Sequence, residues 1–143
     1  MLRRSTFVAL VATVPVVAWG TGFGGSDVPT RIPVPARDFS AVVEDLSGQS
    51  YTVTDVTFDG EVVVGGKLGE ADIAVPFERI AEVRIEPTGE EGKRIAFVRT
   101  VGGDSVKIVI DHDVPCFGAT PWGNVRIEVG RIRKVTFSPP KAP

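Results

Sequence analysis

YTVTDVTFDGEVVVGG, residues 51–66, decides how the rest of the chain is read. Asp59-Gly60 stands between two apolar runs. A type I′ turn needs positive φ at both central residues, so an Asp-Gly pair in that setting predicts a two-residue β-hairpin. Tyr51 and Val53 alternate with polar residues, and so do Val56 and Phe58, but the phase changes near Asp55. One extra residue in a strand produces such a shift, so a bulge is expected there. Val62 to Val64 form the return strand, which ends at Gly65-Gly66.

The same period-2 pattern continues on both sides. Ile73, Val75 and Phe77 share one face of a further strand, and Val83 and Ile85 belong to the next. Pro76 donates nothing to a ladder, which places its strand at an edge or a bulge. A brief helical turn fits between Pro76 and Ala81. Farther on come Ile95 and Phe97, then Val106, Ile108 and Ile110, then Val125, Ile127 and Val129, then Val135 and Phe137. No stretch after the first twenty residues carries an apolar stripe at helical spacing. Valine and isoleucine dominate the apolar set, and branched side chains suit a pleated surface better than a helix.

Two halves resemble each other. LSGQSYTV (46–53) matches VGGDSVKI (101–108) through Gly48/Gly103 and Ser50/Ser105, an offset of 103 − 48 = 55. RIAEVRIEP (79–87) matches RIRKVTFSP (131–139) through Arg79/Arg131, Ile80/Ile132, Val83/Val135, Ile85/Phe137 and Pro87/Pro139, an offset of 131 − 79 = 52. IAVPF (73–77) likewise resembles VRIEV (125–129). The three-residue difference is expected in the intervening loops. The repeat units are 39–87 and 94–139. Each half buries its apolar face only against the other. The fold expected is all-β: a single small sandwich or closed barrel of about eight strands, four per half.

The flanks read differently. MLRRSTFVALVATVPVVAWG, residues 1–20, has two arginines, an uncharged apolar stretch from Phe7 to Trp19, and small residues at Ala18 and Gly20. This is the pattern of a secretory signal peptide. The apolar run is shorter than the ~20 residues a spanning helix needs, and Pro15 interrupts it, so no transmembrane span is expected after cleavage. Residues 21–38 are a Pro/Gly-rich linker, 39–138 the β domain, and 139–143 a Pro-rich tail.

The chain has 16 basic and 18 acidic residues; without Arg3 and Arg4 the balance is 14 − 18 = −4. That charge gives no support to a nucleic-acid partner. A single cysteine makes no intramolecular disulfide, so outside the cytosol Cys116 is expected to be buried, paired between chains, or reactive.

DHDVPCFGATPWG, residues 111–123, holds the one histidine and the one cysteine. Imidazole and thiolate make a nucleophile when they touch, with Asp111 or Asp113 orienting the ring. In an extended strand residues four apart lie ~13 Å from each other, so His112 and Cys116 meet only across a tight turn. Asp111, His112, Asp113 and Cys116 are each competent metal ligands, but no second histidine or cysteine completes a recognised spacing. The segment reads instead as a hairpin loop between the strand ending near Ile110 and the one starting near Val125. Asp55, Asp59 and Glu61 lack the ligand run of a calcium loop, and the Asp-Gly turn accounts for them. Phe117, Pro121 and Trp122 are read as a plug over one end of the core or an anchor for a partner. Arg126, Arg131, Arg133 and Lys134 make a basic outer face.

The function expected is an exported, non-enzymatic β-rich binding domain, periplasmic or secreted. Its partner is a protein or envelope component, it carries no cofactor, and Phe117, Trp122, Arg126, Arg131 and Arg133 are the candidate binding residues. The alternative is a small thiol/His hydrolase or a metal-binding protein centred on His112 and Cys116.

Overall fold

The structure is a computed structural model that describes residues 28–139. The chain divides into two compact units, residues 1–30 and 31–143. Of the first, only residues 28–30 are described, and there Thr30 N donates to Val28 O at 2.8 Å. The expected signal segment, the start of the linker and the end of the tail lie outside the described residues. Among the described residues no helix is long and apolar enough to cross a membrane.

The second unit is all-β. Its strands are β1 Ala41–Asp45, β2 Ser50–Phe58, β3 Val63–Leu68, β4 Ala71–Pro76, β5 Ile80–Pro87, β6 Lys93–Thr100, β7 Ser105–Asp111, β8 Pro115–Thr120, β9 Gly123–Glu128 and β10 Ile132–Phe137. Short 3₁₀ turns, Phe77–Arg79 and Val129–Arg131, precede β5 and β10. The ten strands form one antiparallel sheet in the order β4-β3-β7-β6-β5-β10-β1-β2-β8-β9, curled into a half-barrel. This corrects the eight-strand sandwich or closed barrel expected from the sequence. β5 and β10 pair directly, with Val83 opposite Val135. A ladder therefore joins the halves where two face-packed sheets were expected, and β4 and β9 remain as edges. Pro76 sits on one of those edges, where its missing N–H breaks no inner ladder.

The Asp59-Gly60 turn forms, but the hairpin expected from it does not: a single bridge, Phe58 to Glu61, closes the turn, and β2 and β3 are not neighbours in the sheet, β3 pairing with β4 and β7 instead. Asp59 and Gly60 have φ of 54° and 85°. Phe58 N donates to Glu61 O at 2.8 Å, and Glu61 N returns the bond to Phe58 O at 2.9 Å. The phase change is a bulge in β2: Asp55 has φ 53°, and the register to β8 shifts between Thr54 and Thr57. Asp38 Oδ1 accepts from Asp55 N at 2.9 Å, and Phe39 O accepts from Val56 N at 3.2 Å. β2 is nine residues long, whereas β7 has seven. Two of the three extra residues of the first half thus lie inside a strand, where the bulge holds the incoming arm, and the third lies in the turn that follows it.

Replacing each strand by the one five places along the chain gives the same order read backwards. The non-ladder hydrogen bonds follow the same correspondence. Phe77 N donates to Val62 O at 2.9 Å, and Val129 N to Val114 O at 2.8 Å. Val101 N donates to Arg79 O at 2.9 Å, and Leu46 N to Arg131 O at 3.0 Å. At the β1–β2 turn Asp45 Oδ1 accepts from Gln49 N, and at the β6–β7 turn Thr100 Oγ1 accepts from Asp104 N, each at 3.1 Å. The β3–β4 hairpin of the first half joins β7 of the second, and β8–β9 of the second joins β2 of the first. Each half therefore completes the other's sheet.

One face of the strands turns inward. Ala41, Val43, Val53, Val83, Ala96, Val98, Ile108, Ile132 and Val135 are buried along it. Phe77 is the centre of an aromatic cluster, with ring centroids 5.7 Å from Phe39, 5.5 Å from Phe58 and 4.6 Å from Phe137. Two glycines let strands approach each other at equivalent positions. A Cβ on Gly66 would lie 2.3 Å from Val109 O, and one on Gly118 would lie 2.7 Å from Val53 Cβ.

Candidate functional site

The segment from Asp111 to Gly123 is mostly strand. His112 to Val114 make the turn, and Pro115–Thr120 form β8, paired to β2 on one side and β9 on the other. The hairpin loop expected between Ile110 and Val125 is thereby corrected. PCFGAT lacks β-branched residues except at its end, so its strand is fixed by its neighbours more than by its own propensity.

β8 aims Cys116 at the core. Its neighbours in register are Phe58 and Ile127. The residue is 2% exposed, and burial pushes its thiol up to about 12 from 9.0. A nucleophilic or metal-binding cysteine acts as the thiolate, and this environment disfavours that form. His112 lies on the rim, half-buried, with its backbone N–H donating to Gly92 O at 2.9 Å and its carbonyl accepting from Gly130 N at 2.7 Å. Asp111 is exposed and paired with Lys93 at 2.5 Å, which raises the Lys93 ammonium above its ordinary value. Asp113 is exposed. Among the described residues no three His, Cys, Asp or Glu side chains gather as a metal site, so Asp111, His112, Asp113 and Cys116 are not brought together.

Asp55 and Asp38 do approach each other at the bulge. Burial, and then the charge and hydrogen bond of Asp38, raise the Asp55 carboxyl above its usual range. Asp59 and Glu61 belong to the turn that follows β2.

The five expected binding residues fall into two groups. Phe117 and Arg126 are opposite each other on β8 and β9, and Trp122 is at the tip of that hairpin. Trp122 is 88% exposed, so it does not plug the core. Thr120 Oγ1 holds the tip, accepting from Trp122 N and Gly123 N at 3.1 Å each. Arg131 and Arg133 lie at the β1–β2 turn instead. Arg131 lines a shallow hollow with Asp45, Leu46 and Ile127, and Arg133 donates to Leu46 O at 3.3 Å. The two groups are joined along β9, which carries Arg126 of the first and Ile127 beside Arg131 of the second.

A different cleft was not expected from the sequence. Residues 88–92, which connect β5 to β6, form its rim together with Arg94 and His112, around a volume of about 480 Å³. Thr88 Oγ1 braces the rim, accepting from Glu90 N and donating to Glu90 O, both at 2.8 Å. A Cβ on Gly130 would lie 2.9 Å from His112 Cβ and 3.4 Å from Arg94 Nη2. Arg94 and His112 therefore crowd over one glycine. A signal was available: at the offset of 52, Gly60 corresponds to His112 and Glu78 to Gly130, and at the offset of 55, Phe39 corresponds to Arg94. All three departures meet at this cleft.

A family model described as "Uncharacterised protein" matches residues 35–139, the whole strand-forming region, and the chain belongs to that family. No curated protein and no solved structure matches the chain.

Proposed function

We propose that this family member is an exported, non-enzymatic interaction domain that binds a protein or envelope component outside the cytoplasm through its β8–β9 hairpin. The observation that carries the reading is Trp122. A large aromatic ring 88% exposed at a hairpin tip offers a rigid, amphipathic side chain of the kind that anchors interfaces. Phe117 and Arg126 on the same hairpin add the residue types that anchor interfaces. Export rests on the basic-then-apolar pattern of residues 1–20. The burial of Cys116 weighs against the thiol/His hydrolase, because the thiol lacks both access and ionisation.

We further propose that the two halves are copies of one unit. The reversible strand order and the matched hydrogen bonds support this beyond the sequence similarity.

The test is a photo-crosslinking amino acid at position 122 in cells, compared with one at Glu70, the equivalent place on the β3–β4 hairpin. A discrete extracytoplasmic adduct at 122 and none at 70 is expected. Equal labelling at both positions, or a protein retained in the cytosol, would overturn the proposal.

A further inference from the structure

We propose that the cleft between residues 88–92 and the Arg94/His112 pair binds a small oxyanion, a carboxylate or a phosphate. This goes beyond the hairpin interaction and rests in part on the reading of the two halves as copies of one unit. Arg94 is the cation on the lining of the cleft. Its guanidinium is half-buried, and its one hydrogen bond among the described residues runs from Nη1 to Lys93 O at 2.9 Å. Arg37, Arg84 and Arg99 are each paired with a glutamate, whereas Arg94 has no carboxylate within ion-pair distance among the described residues. A partly desolvated guanidinium with most of its five donors unused presents a forked surface that matches two oxygens of one anion.

The surroundings are arranged for that use. In the first half, Phe39 takes the place of Arg94 and seals the aromatic cluster, Gly60 takes the place of His112, and Glu78 takes the place of Gly130. In the second half the side chain at 130 is deleted, which makes room for the imidazole and the guanidinium over the same spot. A side chain at 130 would displace both. Three coordinated exchanges that open a polar cleft are not what packing alone would retain, since the first half shows that the frame accepts a closed filling.

The rim sets the size of the ligand. Glu90 and Glu91 are exposed at the mouth. Their charges repel an extended polyanion and leave Arg94, on the same lining, to hold a single small oxyanion. A volume of about 480 Å³ falls within the range of small-molecule clefts.

The experiment is an amide-detected NMR titration of the full chain with sodium phosphate and, separately, sodium acetate, at constant ionic strength. Saturable shifts are expected at Gly92, His112 and Gly130 with one or both anions. Saturation by acetate alone assigns a carboxylate ligand, by phosphate alone a phosphate ligand, and by both a general oxyanion site. Arg94→Ala should weaken binding by about tenfold or more, the loss of a charge-assisted pair. His112→Gly removes a half-buried rim side chain and leaves the core untouched. It should weaken binding by roughly threefold, the loss of one donor. The His112 variant carries the test if Arg94→Ala does not fold. Arg131→Ala, away from the cleft, should change nothing. Absence of saturation with either anion, or affinity unchanged in the folded variants, overturns the proposal.

Discussion

Phe39, Phe58, Phe77 and Phe137 meet in one part of the half-barrel; the equivalent positions of the other half hold Arg94, Ile110, Val129 and Ile85. The backbone frames correspond apart from the bulge that lengthens β2, down to the N–H that the first residue of each 3₁₀ turn donates to the carbonyl just before β3 or β8. What differs is the filling. Four rings occupy the first place. Smaller aliphatic chains and one arginine occupy the second, and a polar cleft opens beside them. Two fillings of one frame separate what the sheet needs from what is added to it. The aromatic side seals the core, and the substituted side is where the proposed oxyanion cleft lies.

The largest expected effect tests that division directly. Phe77→Ala should cost ~3–5 kcal/mol in urea unfolding, as buried Phe-to-Ala changes do. Val129→Ala at the equivalent place removes two methyl-sized groups and should cost about 2 kcal/mol. Equal losses would mean that the aromatic cluster is not the stronger anchor. Next come the two glycines of close strand approach. Gly66→Ala should cost ~1–3 kcal/mol through overpacking, because its Cβ meets a backbone carbonyl that cannot rotate away. Gly118→Ala should cost less, since it presses on the Val53 side chain. The reverse order would show that β2 is the stiffer neighbour.

Cys116 sharpens the comparison by pH, because Val64 stands at its equivalent position and does not ionise. The folded thiol titrates at about 12 against 9.0 unfolded. The unfolded chain loses its proton first, so this stabilisation is complete below pH 9 and is lost as pH rises toward 12. Cys116→Val should change stability by less than ~1.5 kcal/mol at pH 7. It should also remove the part of the alkaline decline that begins near pH 9. Tyr51, raised from 10.0 to about 12 mainly by burial, leaves a later decline in the variant. The smallest effect concerns Thr57, inside the lengthened strand of the first half. Its Oγ1 is buried without a hydrogen-bond partner. Thr57→Val should raise stability by ~1 kcal/mol, measured as a higher urea midpoint.

The turn at Asp59-Gly60 and the bulge at Asp55 were legible because local chemistry alone determines them, positive φ in one case and a change of alternation in the other; that β3 leaves β2 after the turn to pair with β4 and β7 was not, because the turn fixes no partner. β1 and β8 were not legible either. AVVED is short and ends in two acids, and PCFGAT carries Pro, Gly and Ala. Both are strands because paired neighbours hold them on either side. The direct β5–β10 pairing was invisible too, since nothing in RIAEVRIEP or RIRKVTFSP says which strand each will meet. At the candidate sites, Cys116 faces the core from β8 while His112 lies in the turn before it, a placement set by the sheet that the spacing of the two residues does not reveal. Arg94 was overlooked because one arginine at a strand start is ordinary until it is set against the phenylalanine at the matching place.

Ser138 N donates to Ser40 O at 3.0 Å, so the outgoing end of β10 lies against the incoming end of β1. A short peptide joining those ends would do what residues 88–92 already do between β5 and β6. A circularly permuted gene, opened within that connector and closed at the former termini, should then yield the same sheet. It would also cut the rim of the cleft at Glu90 and Glu91, and so separate the folding of the frame from the recognition built on it.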